Sequence, residues 1–369
     1  MINVFEPYIF SSDKINVLKS LNKKELSGTS GIIGKFENEL ADFCNRKYSA
    51  AVSNGSVALD LALKALYLKK GDEVILPSFT IISCLSAVIR SGAKPIFCDV
   101  DSNSWNMKLE DVKNVFTKNT KAVLMVHTYG LTAEAEEIEN FCKEKGIYLI
   151  EDAAEAHGQT YNNRVCGSFG DISTMSFYAN KHITSGEGGA VLSNSNDINE
   201  IIKKMRNLDF NNSKRFVHEN LYWNYRMGGL QASLAKSQIN NINKIITSKI
   251  TQGKTYNSLF EDYSDLFQKP LVSTNSSPNH YWVYGLVFNK NDCRDELIKS
   301  LLTVGIETRP FFWPLHLQEV SINSKFNNSN LINSEFLGKN GFYIPTGAHI
   351  NRKKQEYIVE RIVEIGNSI

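Results

Sequence analysis

The chain has no cysteine pair spaced as CxxC: its six cysteines, at 44, 84, 98, 142, 166 and 293, are scattered and lack histidine partners at metal-ligand spacing. That argues against a disulfide framework or a structural metal and points to a reduced, cytoplasmic setting. Charge of one sign is not in excess either. Lysine and arginine number 41 against 39 aspartates and glutamates, a net charge of +2, so no overall field draws the protein to nucleic acid or to an anionic membrane. The first residues show no basic leader followed by an apolar block. No run of about 18 apolar residues suited to spanning a bilayer occurs. Neither a GxGxxG turn opening a helix nor a GxxxxGK[ST] loop is found, which removes the fingerprints of nicotinamide enzymes and of ATP hydrolysis. Repeats at solenoid periods are missing as well.

What is present is a 369-residue chain, long enough for two domains with large cores. Leu59, Ala62, Leu63 and Leu66 mark one helical face, residues 73–76 form an extended run stopped by Pro77, and 80–90 read as helix. Strands are predicted at 95–100, 122–127 and 147–151, with helices near 109–116 and 133–144 between them. Such alternation predicts an α/β fold with a mostly parallel sheet covered on both faces. Strands at 172–177 and 189–193, followed by a helix at 197–206, would complete it. The large domain is expected to span 1–245 and a smaller α+β domain 246–369, with the N-terminal segment packed on the latter. The small domain carries a predicted strand at 281–288, a helix at 294–303 closed by Gly305 and an extended run at 306–309. Its final helix has Ile358, Ile362 and Ile365 on one face. Segments 273–279 and 321–333 read as polar loops.

Lys181 ends the run Ser176-Phe177-Tyr178-Ala179-Asn180-Lys181 and precedes Ser185-Gly186-Glu187-Gly188-Gly189; Asp152 closes the strand at 147–151. An amine on a glycine-framed loop and an acid at another strand end form the pairing that pyridoxal 5'-phosphate chemistry requires. The amine holds the cofactor aldehyde as a Schiff base, and the carboxylate keeps the ring nitrogen protonated. The plainer alternatives are a solvated loop lysine and a helix-capping aspartate. Asn54, Gly55 and Ser56 open a helix whose free N–H groups and positive dipole end suit a phosphate, though an ordinary cap is the competing reading. Ser176 could add its hydroxyl to the same phosphate or remain a buried strand serine.

Four ordered motifs resemble the DegT/StrS family of nucleotide-sugar aminotransferases, which are fold-type-I pyridoxal phosphate enzymes. They are Asn54-Gly55-Ser56-Val57-Ala58-Leu59, Glu151-Asp152-Ala153-Ala154-Glu155-Ala156, the Lys181 run with its glycines, and Trp223-Asn224-Tyr225-Arg226-Met227. The resemblance spans nearly the whole chain. It implies that Lys181 is the Schiff-base lysine, Asp152 the ring-nitrogen partner, Glu155 a neighbour of the ring hydroxyl, and Gly55, Ser56 and Ser176 phosphate ligands. Asn224 would reach the phosphate of a neighbouring subunit, so a homodimer with shared sites is implied. Glu155, the segment 126–130 and the segment 308–316 also fit the branch that makes GDP-perosamine. The implied substrates are then GDP-4-keto-6-deoxymannose and glutamate, with the C4 ketone aminated. Arg309 could pair the diphosphate, while His127 and His316 could bond sugar hydroxyls or the keto oxygen, or could equally be satisfied polar groups. Ile81 stands where many relatives place an aromatic ring against the cofactor. Rival readings within the resemblance are a UDP- or dTDP-sugar substrate, or a sugar 3-dehydratase, in which histidine replaces the Schiff-base lysine. A regulatory or sugar-binding protein on an inactive aminotransferase scaffold is the rival outside catalysis.

Overall fold

The computed structural model describes residues 1–210, 215–324, 326 and 330–369. A seven-stranded sheet is built from β1 (Tyr48–Val52), β2 (Glu73–Pro77), β3 (Lys94–Cys98), β4 (Thr120–Val126), β5 (Tyr148–Asp152), β6 (Ile172–Ser176) and β7 (Gly189–Ser193). Its spatial order is β1-β7-β6-β5-β4-β2-β3, and β7 alone runs against the common direction. Parallel strands need crossover connections, which the sequence supplies as the helices read between them. Both faces are covered, so β2 is apolar throughout Val74, Ile75 and Leu76 rather than alternating. Phe36, Ile138 and Ala232 pack helices Gly31–Phe43, Ala135–Lys145 and Gly229–Ile239 against one face. Leu59, Leu85 and Ile202 pack Gly55–Lys64, Ile82–Arg90 and Asn196–Arg206 against the other. The α/β class with a mainly parallel sheet is therefore the observed one.

A second, antiparallel sheet has the order Phe267–Gln268, Tyr284–Phe288, Gly341–Ile344, Arg309–Pro310. Leu297, Ile358 and Ile362 close its core beneath helices Arg294–Thr303 and Arg352–Ser368. The N-terminal residues join this side: Phe5–Glu6 pairs in parallel with Thr346–Gly347, and Ile2 donates its N–H to the Gly305 carbonyl at 2.7 Å. Helix Ile242–Leu259 ties the two sheets, burying Ile242 and Ile246 in the first core and Tyr256 in the second. We propose that the division near residue 245 falls within this continuous helix. Among the described residues no helix is long and apolar enough to cross a membrane.

Two expectations shift. The strand read over 281–288 begins only at Tyr284, because the chain bends at Tyr281 (φ +48), whose N–H is taken by Asn279 Oδ1 at 2.7 Å. Gly130 makes room for the bend: a Cβ there would lie 2.6 Å from the Tyr281 nitrogen. The segment 321–333 is not all loop, since helices Glu319–Asn323 and Ile332–Asn340 occupy its ends; positions 325 and 327–329 lie outside the described residues.

The sheets are fastened by an aromatic cluster in which Phe79, Trp105 and Tyr129 meet Trp282 and Phe311. Phe79 has no exposed surface and lies 5.7 Å, between ring centroids, from both Tyr129 and Phe311. Phe79→Ala should lower stability by about 3–5 kcal/mol in urea unfolding. A loss under about 1 kcal/mol would show that the fastening lies elsewhere.

Candidate active site

The carboxyl ends of β4, β5 and β6 open on one cavity of about 550 Å³, lined among others by Val126, Asp152 and Ser176 at the strand ends. Ligands of open α/β sheets collect at this edge, where the loops following the strands project. Lys181 lies on the loop after β6, with its N–H bonded to the Tyr178 carbonyl at 2.9 Å. Glycine-permitted turns shape that loop: Gly188 has φ +147, and the Gly188 carbonyl accepts the Phe177 N–H at 2.8 Å. Phe177 and Ile183 are wholly buried and anchor it, whereas Tyr178 is exposed. The Lys181 side chain is 10% exposed. Its Nζ lies 3.4 Å from Glu155 Oε1 and 3.9 Å from the centre of the Trp282 ring.

Two buried carboxyls face this amine. Asp152 follows directly from the β5 backbone; its Oδ1 accepts the Ala154 N–H at 3.1 Å, while Oδ2 lies 3.6 Å from the Cys84 thiol. The bond to Ala154 satisfies one oxygen as a capping aspartate would, but a turn follows rather than a helix. Burial raises the Asp152 carboxyl above its ordinary range, against the lowering pull of the Ala154 N–H and the Lys181 charge. Glu155 is pushed up to about 7, chiefly by burial, with Lys181 and the Tyr129 N–H pulling the other way. That N–H reaches Glu155 Oε2 at 3.1 Å.

Helix Gly55–Lys64 begins at the wall of the same cavity. Asn54 caps it, accepting the Val57 N–H at 2.9 Å, so the cap reading holds for Asn54 while the N–H groups of Gly55 and Ser56 have no partner within the helix. The helix start sits hard against the sheet: a Cβ on Gly55 would meet the Ser176 Cβ at 2.7 Å, and one on Gly189 would meet the Asn54 carbonyl at 2.4 Å. Ser176 Oγ accepts the Tyr178 N–H at 3.4 Å, and the Ser56 and Ser83 hydroxyls bond at 2.7 Å. One cavity thus holds an amine, two acids and an anion-receptive helix terminus.

The model of the DegT/DnrJ/EryC1/StrS aminotransferase family matches residues 9–363. This chain belongs to that family. Among its relatives, a protein named GDP-perosamine synthase from Vibrio cholerae is 37% identical over 86% of each chain. Another of that name from Escherichia coli is 34% identical over 98% of each. The structure of the Helicobacter pylori aminotransferase involved in pseudoaminic acid biosynthesis superposes with a TM-score of 0.94 over the whole of both chains, at 22% identity, which shows the shared fold.

Within this aminotransferase, eight of the residues singled out from sequence line the cavity: Gly55, Ser56, Ile81, His127, Asp152, Glu155, Ser176 and Lys181. Ile81 is 41% exposed at the opening. His127 lines the cavity with both ring nitrogens committed: Nδ1 accepts the Ala133 N–H and Nε2 faces Glu151, both at 3.1 Å, so neither is left for a sugar. Glu151 in turn takes N–H bonds from Gly167 and Phe169 and the Ser173 hydroxyl, which makes the pair a buried structural brace.

Three residues stand outside the lining. His316 is buried with Nδ1 on Ser78 Oγ at 2.6 Å and Nε2 3.4 Å from Glu335, which commits both nitrogens. Arg309 is half-exposed on the second sheet, 3.4 Å from Glu307 and paired in register with Tyr343, a cavity residue. Asn224 is exposed, its Oδ1 accepting the Arg226 N–H at 3.3 Å.

Sequence reasoning passed over Asn180, Trp282, Phe312 and Tyr343, which also line the cavity. Asn180 was within reach, one residue before Lys181. The other three come from the second sheet and its approaches, and nothing in their local pattern ties them to Lys181.

A carboxyl whose folded-state pKa is raised binds its proton more tightly folded than unfolded, so its ionisation weakens the fold as pH rises from about 4.5 through about 7. The cofactor-free protein should therefore lose stability relative to Glu155→Gln between about pH 5 and pH 8, by roughly 1–3 kcal/mol in urea unfolding. Parallel pH curves for the two proteins would contradict the raised carboxyl.

Proposed function

We propose that this chain is a pyridoxal 5'-phosphate-dependent aminotransferase that moves an amino group from glutamate to the C4 ketone of GDP-4-keto-6-deoxymannose, yielding GDP-perosamine. The observation that carries the reaction type is Lys181, Asp152 and the N-terminus of helix Gly55–Lys64 in one cavity. The nucleotide and sugar are supported by relatives named GDP-perosamine synthase that match this chain over most of both lengths.

The donor set fits the cofactor. Gly55 and Ser56 N–H groups with the Ser56 and Ser176 hydroxyls would hold its phosphate, and Asp152 would face its ring nitrogen. Desolvation disfavours an isolated Asp152 charge, and a cationic partner lifts that penalty, so the site as built favours a protonated ring nitrogen. When bound, the cofactor supplies an aldehyde for amine exchange and a ring that accepts electrons from the substrate carbon.

The protein's own share is placement and proton handling. Lys181 Nζ would hold the cofactor aldehyde and, when its amine is free, would move the proton at the reacting carbon. Glu155 Oε1, at 3.4 Å, orients that amine. Trp282, Phe312 and Tyr343 wall the cavity from the second sheet and exclude water. Arg309, on the strand paired with Tyr343, would take the diphosphate.

We also read the enzyme as a cytoplasmic homodimer. Leu221 is 99% and Trp223 65% exposed, within three residues of Asn224, apolar surface that a second copy would cover while Asn224 reaches that copy's phosphate end. Six unpaired cysteines support the reducing compartment.

Purified protein given the cofactor should show a visible absorption band that Lys181→Ala lacks, and amino transfer should fall by about 10²–10⁴-fold in that variant. An unchanged band would refute Lys181 as the cofactor-bound amine. With glutamate and a panel of GDP-, UDP- and dTDP-linked 4-keto-6-deoxy sugars, the aminated GDP-sugar is the expected product. Turnover confined to a UDP- or dTDP-sugar would overturn the substrate, and a deoxygenated product without nitrogen would mark a dehydratase.

A further inference from the structure

We infer that Trp282 is a positioning residue for the reaction: the face of its indole is a seat for the Lys181 ammonium whenever that amine is not bound to the cofactor. The Lys181 Nζ lies 3.9 Å above the ring centre. Trp282 is 4% exposed, and an ammonium over a desolvated indole face is held by the ring quadrupole more strongly than in water.

The indole is fixed from three sides. Its Nε1–H donates to the Asn180 carbonyl at 2.9 Å, one residue before Lys181, so ring and amine share an anchor. Tyr129 stacks on it at 5.9 Å with planes 27° apart, and the Tyr129 N–H is bonded to Glu155, the other partner of the amine. The left-handed Tyr281 and the glycine at 130 aim the bend of which it is part at the cavity. A residue serving only as wall would not need its plane so constrained.

The division of labour between the two partners follows from their chemistry. Glu155 can take a proton from Lys181, whereas a π face attracts the ammonium without accepting its proton. Trp282 therefore keeps Nζ within reach of the reacting carbons while leaving its proton available for transfer. Because Trp282 belongs to the approach to the second sheet, the seat exists only while the two sheets are docked.

This inference rests on the reading of Lys181 as the reacting amine, and two measurements keep their failures apart. In the cofactor-free full chain, acylation of Lys181 by a small anhydride, followed by mass spectrometry at fixed pH, reports on the ring–amine contact alone. Trp282→Leu should acylate about 2- to 30-fold faster than the wild type, with Trp282→Phe between them. Equal rates in all three proteins would overturn the seat, even if the cofactor reading stands. Absence of a cofactor band in the wild type would overturn the cofactor reading instead and leave the acylation result intact.

In the loaded enzyme, mono-, di- and trifluorinated tryptophan weaken the ring quadrupole with little change of shape. The seat predicts a stepwise fall in kcat, with KM within about threefold, that disappears when the same labels are placed in Trp282→Phe. A flat series, or one that persists in Trp282→Phe, would mean that Trp282 is wall and nothing more.

Discussion

A buried amine facing buried acids is the constraint on which the rest of this structure depends. Lys181, its side chain 10% exposed, needs a counter-charge, and Glu155 supplies one at 3.4 Å while its own charge is disfavoured by burial. The loop that carries Lys181 must then be rigid, which explains its buried Phe177 and Ile183 and the glycine turns that return the chain into β7. The same closeness forces glycine at positions 55 and 189, where the helix start, the end of β6 and the start of β7 leave no space for a Cβ. Structural and chemical demands converge on one set of backbone contacts.

The second sheet completes the site rather than merely adding bulk. Its bend at Tyr281 delivers Trp282 to Lys181, and its strands bring Tyr343 to the cavity and Arg309 beside it. The aromatic cluster around Phe79 holds the sheets together within a short distance of the amine. The cavity is therefore a product of docking, and residues at the seam contribute both to stability and to the shape in which substrate is held.

Much of the fold was legible because its signals are local. A helix announces itself by apolar spacing and a buried parallel strand by a continuous apolar run, so most elements from 73 to 206 follow from pattern, although the strand Tyr48–Val52 and the short pair Thr160–Tyr161 and Arg164–Val165 go unread. The candidate site was legible where a residue stands at a strand end or a helix start. His127 and His316 show the limit: both are polar residues of the expected type, yet Ala133, Glu151, Ser78 and Glu335 take up their nitrogens. Which partner claims a side chain is a matter of packing across long separations, and spacing along the chain does not encode it. Trp282 shows the converse, since alternation over 281–288 reads as strand until the left-handed Tyr281 turns the indole out of register.

By itself, the sequence determined the class of fold and the family and pointed to the loop amine Lys181 and the strand-end acid Asp152, because these rest on short local patterns repeated in order along the chain. Tertiary structure alone decided that Lys181 lies between Glu155 and Trp282, 26 and 101 positions away, and that two histidines are braces. The physical reason is range: periodicity and capping act over a turn or a pleat, whereas charge compensation, desolvation and aromatic contact act between whichever side chains the folded chain brings together.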